Sequence, residues 1–269
     1  MKKFNVSSGV ASIYTNHSLL YSLSKRDIQA KYKGTILGFA WVVIYPLVML
    51  AVYATVFTYV FKARWGIGES VSNFVQMLYC GLIIYGLFTD TVSRAPSAII
   101  QNAAYVKKVI FPLELIPVSY LVSATFNAII STILLCIFIL FKQHALNITM
   151  LFFPLVLLPF LLSLLGITWF LAAIGVFFRD INQVIGVMLS LMMFLSPVFY
   201  PVATLPAIAQ KIIYLNPLTY PMEEMRNLLV TGEMPNITYW GIYCVASVLV
   251  AYMGLWVFQR SRSAFADVL

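Results

Sequence analysis

Residues 25–61 read KRDIQAKYKGTILGFAWVVIYPLVMLAVYATVFTYVF, and the change of character inside this run decides the fold class. Its first nine positions carry Lys25, Arg26, Lys31 and Lys33 against one acid, Asp27, whereas no charge occurs from Gly34 to Phe61. A helix rises about 1.5 Å per residue, so roughly 20 such residues cross the hydrocarbon core of a bilayer. The run is therefore predicted to be a membrane-spanning helix with a basic collar. Within it Trp41, Tyr45, Met49, Tyr53, Phe57 and Phe61 recur at every fourth position. Four residues overshoot one helical turn by about 40°, so this line spirals and cannot face one partner along its whole length. Two readings are open: contacts with lipid and neighbouring helices, where Tyr and Trp are common, or a lining along which a flat, partly apolar substrate such as a sugar chain slides.

The rest of the chain has the same character. With 62% hydrophobic residues, 10% charged and a mean hydropathy of +0.92, the composition is that of an all-α integral membrane protein. Apolar runs leave no room for a separate soluble unit, so residues 1–269 are read as one transmembrane domain. The segment after Lys2 and Lys3 is too polar for a cleaved signal peptide, and the N-terminus is expected to stay. Val10, Ile13, Tyr14, Leu20 and Tyr21 fall near helical spacing, which predicts a helix over 10–24 in the membrane surface or docked as in a soluble protein. Spans are predicted at 35–61, 74–93, 115–141, 150–178, 181–200 and 237–258, the fourth kinked by Pro154 and Pro159. Residues 205–229 are broken by Pro206, Pro217 and Pro221 and predict two helices of about ten to twelve residues, re-entrant or interfacial, joined at Asn216-Pro217.

Six spans put both termini on one side. Of the 17 Lys and Arg, twelve fall on that side and five on the other, which places both ends in the cytoplasm. The net charge of +8 then belongs to the cytoplasmic face and suits lipid headgroups or a phosphorylated substrate, with nucleic acid not expected as a partner. There is no GxxxxGK[ST] and no Gly-Lys pair, so the chain carries no P-loop and is not itself an ATPase. His17 and His144 lie in different loops without ligand-spaced neighbours, and no metal site is predicted. Cys80, Cys136 and Cys244 sit in three different spans and read as small buried hydrophobes. Asp90 and Arg94 are four apart at the end of the second span and are expected to pair, although an acid in a membrane segment is also a functional candidate. Gly34 and Gly38 form a GxxxG that would let helices approach closely.

These pieces resemble the permease subunits of polysaccharide-type ABC exporters, which serve O-antigen, teichoic acid and capsule. The likeness rests on Arg26-Asp27, Lys31-Tyr32, Leu37-Gly38, Trp41 and Pro46-Leu47, then on Asn102 with residues 107–112 (KKVIFP), Phe178-Arg179-Asp180, residues 215–218 (LNPL), Arg226 and Phe265-Ala266-Asp267. It covers essentially the whole chain. The resemblance implies a homodimer in a bacterial inner membrane, bound to two cytoplasmic ABC ATPase subunits that hold ATP and Mg, so that this chain is a transport subunit with no cofactor of its own. It further implies a cytoplasmic coupling helix over 98–109, with Asn102, Val106, Lys107 and Lys108 meeting the ATPase. Two external helices in 205–229 would form a gate carrying Asn216, Pro217, Glu223 and Arg226. The expected substrate is a polyprenyl-pyrophosphate-linked glycan, with O-antigen foremost. Its pyrophosphate would be held near Lys25, Arg26, Lys31 and Lys33, for which membrane anchoring is the other reading, and its glycan would pass Trp41, Tyr45, Tyr53 and Phe57. Two alternatives stand beside this: an embedded enzyme acting on lipid-linked glycans through Asp90, Arg94, Arg179 and Asp180, or a drug or lipid exporter of the same architecture.

Overall fold

A backbone inside a bilayer has to satisfy its own hydrogen bonds, and each apolar run accordingly forms a helix. The computed structural model describes residues 6–60, 71–106, 111–178 and 180–268. Their helices are α1 (Val6–Thr15), α2 (His17–Tyr32), α3 (Trp41–Thr55), α4 (Val71–Val92), α5 (Ala98–Gln101), α6 (Ala103–Val106), α7 (Leu115–Gln143), α8 (Phe153–Phe177), α9 (Ile181–Leu195), α10 (Ala207–Ile213), α11 (Thr219–Arg226), α12 (Ile237–Ser261) and α13 (Phe265–Val268). No strand occurs among the described residues.

Among the described residues, five helical segments are long and apolar enough to cross a membrane: Gly38–Val60, Asn73–Val92, Leu115–Gln143, Ile148–Phe177 and Ile237–Val268. The fifth expected span is shorter than its predicted 181–200, because α9 stops at Leu195. Its 15 residues cover only about 22 Å, short of the roughly 30 Å hydrocarbon core. The cause is Pro197, which disfavours helical backbone at the residue before it, and Ser196 is extended at φ −100, ψ 150.

The N-terminal region also departs from expectation. In place of one helix over 10–24 there are two, broken at Asn16, and α2 runs on to Tyr32 so that Lys25 to Lys31 ride on it. The first span starts only at Gly38, after a turn in which Gly34 (φ +85) and Gly38 (φ +51) adopt left-handed backbone. This pair therefore makes a turn, and a Cβ on either would meet nothing within 4 Å. The close helix approach is made elsewhere, by Gly166 of α8 and Gly254 of α12. A Cβ on Gly254 would lie 2.0 Å from the Gly166 carbonyl oxygen, and one on Gly166 would lie 2.3 Å from that of Val250.

The prolines of α8 divide in role. Pro154 lies in the first turn, where no intrahelical N–H is required, so the kink expected from it has no basis. Pro159 is interior and leaves the Leu155 carbonyl without its helical donor; Trp240 Nε1 of α12 supplies one at 3.1 Å.

Burial identifies the central element. Of the second span 72% is buried, against 17% of the first, so α4 forms the core and α3 lies at its edge, with Leu50 reaching into it. Val75, Leu78 and Ile84 of α4 pack with Leu164 of α8 and with Met222 and Leu228 of the α11 arm. A second cluster joins Trp169, Phe258 and Phe265 to Ile99, Leu113 and Ile116, beside the α5–α6 segment.

Candidate functional site

A groove of about 850 Å³ opens between α3, α4 and α7. Lining residues on α4 run from Tyr79 to Asp90, about 16 Å of helix. Trp41, Tyr45, Met49 and Tyr53 supply one wall, facing Tyr79, Tyr85 and Gly86 of α4 and Asn127 and Ser131 of α7. Phe57 leaves the wall and lies with its ring centroid 5.1 Å from that of Phe74. The drift of about 40° per step accounts for its departure. Phe61 lies outside the described residues. The walls are held from behind by hydrogen bonds to helix carbonyls: Tyr79 donates to Pro46 O at 2.7 Å and Tyr85 to Leu189 O at 2.7 Å. Of the groove residues, Tyr79, Tyr85 and Asn127 were not singled out from sequence, since each lies outside the four-residue line of α3.

One end of the groove is charged. Lys31 donates to Asp90 Oδ2 at 2.6 Å, and both line the groove. Asn127 Nδ2 faces the same oxygen at 3.5 Å. Arg94 forms a two-pronged pair with Asp27, Nη1 to Oδ2 at 2.9 Å and Nη2 to Oδ1, and lies 3.9 Å above the Tyr120 ring. Asp27 and Lys31 are four apart on α2, as are Asp90 and Arg94 at the end of α4. The two spacings place the four side chains as a ladder of alternating sign between the helices. The pair expected within α4, Asp90 with Arg94, is the weak rung at 4.0 Å. Burial alone would lower the Arg94 pKa, but the Asp27 hydrogen bond and charge and the Asp90 charge together hold it above its ordinary value. Lys31 and Asp90 keep 23% and 29% of their side-chain surface exposed, and pairs this accessible contribute about 1 kcal/mol or less. Partner exchange along the ladder is correspondingly cheap.

Of the other basic candidates, Arg26 donates to Tyr105 Oη of α6 at 2.6 Å, while Lys25 and Lys33 are exposed and do not line the groove. Of the segment expected as one helix over 98–109, the described part, 98–106, forms two single turns, α5 and α6, divided at Asn102. Asn102 faces inward, donating to Ala98 O at 2.9 Å and Tyr120 Oη at 3.2 Å. Val106 packs on the second cluster, and Lys107 and Lys108 lie outside the described residues. Gln101 and Ala104 form the exposed face of the segment. The segment is braced from behind: a Cβ on Gly175 of α8 would lie 2.0 Å from Pro96 O, Arg262 bonds Glu114 Oε2 (2.7 Å) and Phe111 O (2.8 Å), and Phe265 is fully buried beside Phe258.

The α10–α11 arm is pinned by Arg226, only 2% exposed. It donates to Met77 O of α4 at 2.9 Å, to Pro197 O at 2.6 Å, to Val198 O at 3.1 Å and to Glu223 Oε1 at 2.6 Å. Asn216 Oδ1 accepts from Leu218 N at 2.9 Å and so caps the turn into α11, while its Nδ2 reaches Ser196 Oγ at 2.9 Å. Pro217 O accepts from Tyr243 Oη at 2.9 Å. Of the two helices, α10, with seven residues, is shorter than expected, whereas α11 continues directly into a π-helical turn over Asn227–Thr231. Beside Arg226, Glu224 is buried with Oε2 lacking a hydrogen-bond partner among the described residues, and burial pushes its carboxyl up from the ordinary value. Of the residues considered for an enzyme, Asp90 and Arg94 are engaged in the ladder, Asp180 precedes α9, and Arg179 lies outside the described residues. No group of three or more potential metal ligands occurs among the described residues.

The sequence profile described as ABC-2 type transporter matches residues 18–230. The O-antigen export system permease protein RfbA of Myxococcus xanthus is 28% identical over 260 residues, spanning 96% of this chain and 98% of its own length. The polysialic acid transport protein KpsM of Escherichia coli is 23% identical, spanning 90% of this chain and 93% of its own. The inner membrane transport permease YadH of Escherichia coli K12 is 26% identical, spanning 81% and 87%.

Proposed function

The chain belongs to the ABC-2 type transporter family, and from that premise we propose that it is the membrane-spanning permease subunit of a polysaccharide exporter in a bacterial inner membrane, driven by a separate ABC ATPase. The observation that carries the reading is the groove of about 850 Å³, walled by Trp41, Tyr45 and Tyr53 and charged at one end. Aromatic faces give a sugar chain contact area with few directional hydrogen bonds, so each step along the path stays weak enough to release. A lipid-linked glycan is the class of cargo that uses both features, with its pyrophosphate at the Lys31 end and its sugars against the rings. The export roles named for relatives favour a polysaccharide, O-antigen foremost, over a drug.

The first span is only 17% buried and leaves the groove open on one side, which supports a homodimer in which a second copy completes the path. The ATPase meets Gln101 and Ala104, the exposed face of the braced α5–α6 segment, and this side, with both termini, faces the cytoplasm. The α10–α11 arm lies at the external side, folded back against α4.

Co-expression with candidate ABC ATPases, gentle extraction and an ATP hydrolysis assay test this reading. Stoichiometric co-purification of an ATPase, lost on disruption of residues 98–106, is the expected result. A permease that purifies alone from intact membranes under several gentle conditions would overturn it.

A further inference from the structure

The charge ladder has a property that a simple brace does not need: its Lys31–Asp90 end opens into the groove, while its other end holds the segment leading to α5. Lys31 is neutralised by one carboxylate, and that carboxylate has a second cation, Arg94, already 4.0 Å away in the turn that follows α4. We infer that Lys31–Asp90 is an anion-exchange site, in which a lipid-borne pyrophosphate ester takes the Lys31 ammonium and the Asp90 carboxylate swings to Arg94. The inference rests on the exporter reading and specifies how that cargo is received.

The four side-chain charges sum to zero, so the bound ester leaves the site with net negative charge that a cation from solution offsets. Before exchange, Lys31 is paired with Asp90 and Arg94 with Asp27. Afterwards the incoming anion neutralises Lys31, and Arg94 is shared between Asp90 and Asp27. An ammonium is a compact point charge with three rotatable donors, so it can pass from carboxylate to phosphate without a fixed geometry. Ser93 and Thr89 line the same end and lie beside the incoming oxygens. Sharing Arg94 weakens its hold on Asp27, and hence the tie between α2 and the entrance to α5. A second tie from α2, Arg26 to Tyr105, reaches α6 directly, so headgroup occupancy is transmitted to the surface that meets the ATPase.

The exchange and a purely structural pair give opposite signs in one experiment. The permease with its ATPase is placed in nanodiscs, and binding of a polyprenyl pyrophosphate is measured for wild type, Asp90→Asn, Lys31→Gln and Lys31→Arg. Removing the competing carboxylate is expected to tighten binding about fivefold, Lys31→Gln to weaken it about tenfold, and Lys31→Arg to retain it. Inorganic pyrophosphate is the second arm: competition only by the lipid-borne ester supports a membrane-delivered anion, and equal competition by the free anion keeps the exchange but assigns the anion to solution. If Asp90→Asn weakens binding as Lys31→Gln does, the pair is a brace and the inference falls, while an ATPase that still co-purifies leaves the exporter reading standing. A wild type that binds neither probe nor ATPase overturns both.

Discussion

At 2% exposure the Arg226 guanidinium has exchanged water for the carbonyl oxygens of Met77, Pro197 and Val198 and the Glu223 carboxylate. Arg226→Met would leave those acceptors buried and unpaired, a change that typically costs about 3–5 kcal/mol. Thermal unfolding of the detergent-extracted protein should show this as a large drop, with Arg226→Lys between variant and wild type because one ammonium cannot span three directions. A loss near that of an exposed pair, about 1 kcal/mol, would contradict the assignment. Glu224, nearby, titrates in the opposite sense to a paired carboxylate. Its folded pKa is raised by burial, so the folded state holds the proton longer than the unfolded chain. The stabilisation is complete below the ordinary carboxylate range and is lost as pH rises through the folded value. Glu224→Gln is therefore expected to gain on wild type in melting temperature as pH is raised from about 4, and parallel curves would contradict it. Sequence singled out Arg226 through its motif, but its acceptors in α4 and after α9 are far away in the chain. The i,i+4 rule found Asp90 beside Arg94, but gave no sign that Lys31 and Asp27, 59 and 67 positions away, are the stronger partners.

For the helices, length and apolarity told the sequence reading most of what the fold shows, and packing decided the rest. Over the runs at 115–141, 150–178 and 237–258, the helices α7, α8 and α12 end within about three residues of those bounds, because uncharged runs of that length have few alternatives in a bilayer. Phase-dependent features were less legible: Gly34 and Gly38 looked like a packing motif, whereas Gly166 and Gly254, with no such spacing between them, make the contact. Gly254→Val should force α8 and α12 apart, since even a Cβ would lie 2.0 Å from the Gly166 oxygen. The expected outcome is loss of the folded protein from membranes, and normal yield and melting temperature would contradict the packing. The α5–α6 segment gives the complementary case. Ala104 is exposed, so Ala104→Arg is expected to keep yield and melting temperature while lowering ATPase co-purification several-fold. Unchanged co-purification would move the ATPase contact elsewhere.

In the whole molecule, a buried α4 and an exposed α3 leave a path open to one side, with charge at one end and aromatic rings along it. The line of rings was visible in the sequence as far as α3 carries it. Tyr79, Tyr85 and Asn127 were not, because the walls of a groove come from helices whose relative rotation no single periodicity fixes. Gly86 offers the sharpest test of that path, since it lines the groove and a Cβ there would meet nothing within 4 Å. A side chain can therefore start from this position without its Cβ displacing a neighbour. The measurement is surface polysaccharide in a host lacking the native gene, complemented with wild type or Gly86→Trp and checked for equal membrane insertion and ATPase binding. The expected result is that wild type restores surface glycan, while Gly86→Trp leaves it on the lipid carrier at the cytoplasmic face. Surface glycan at wild-type levels with Gly86→Trp would contradict transport through this groove.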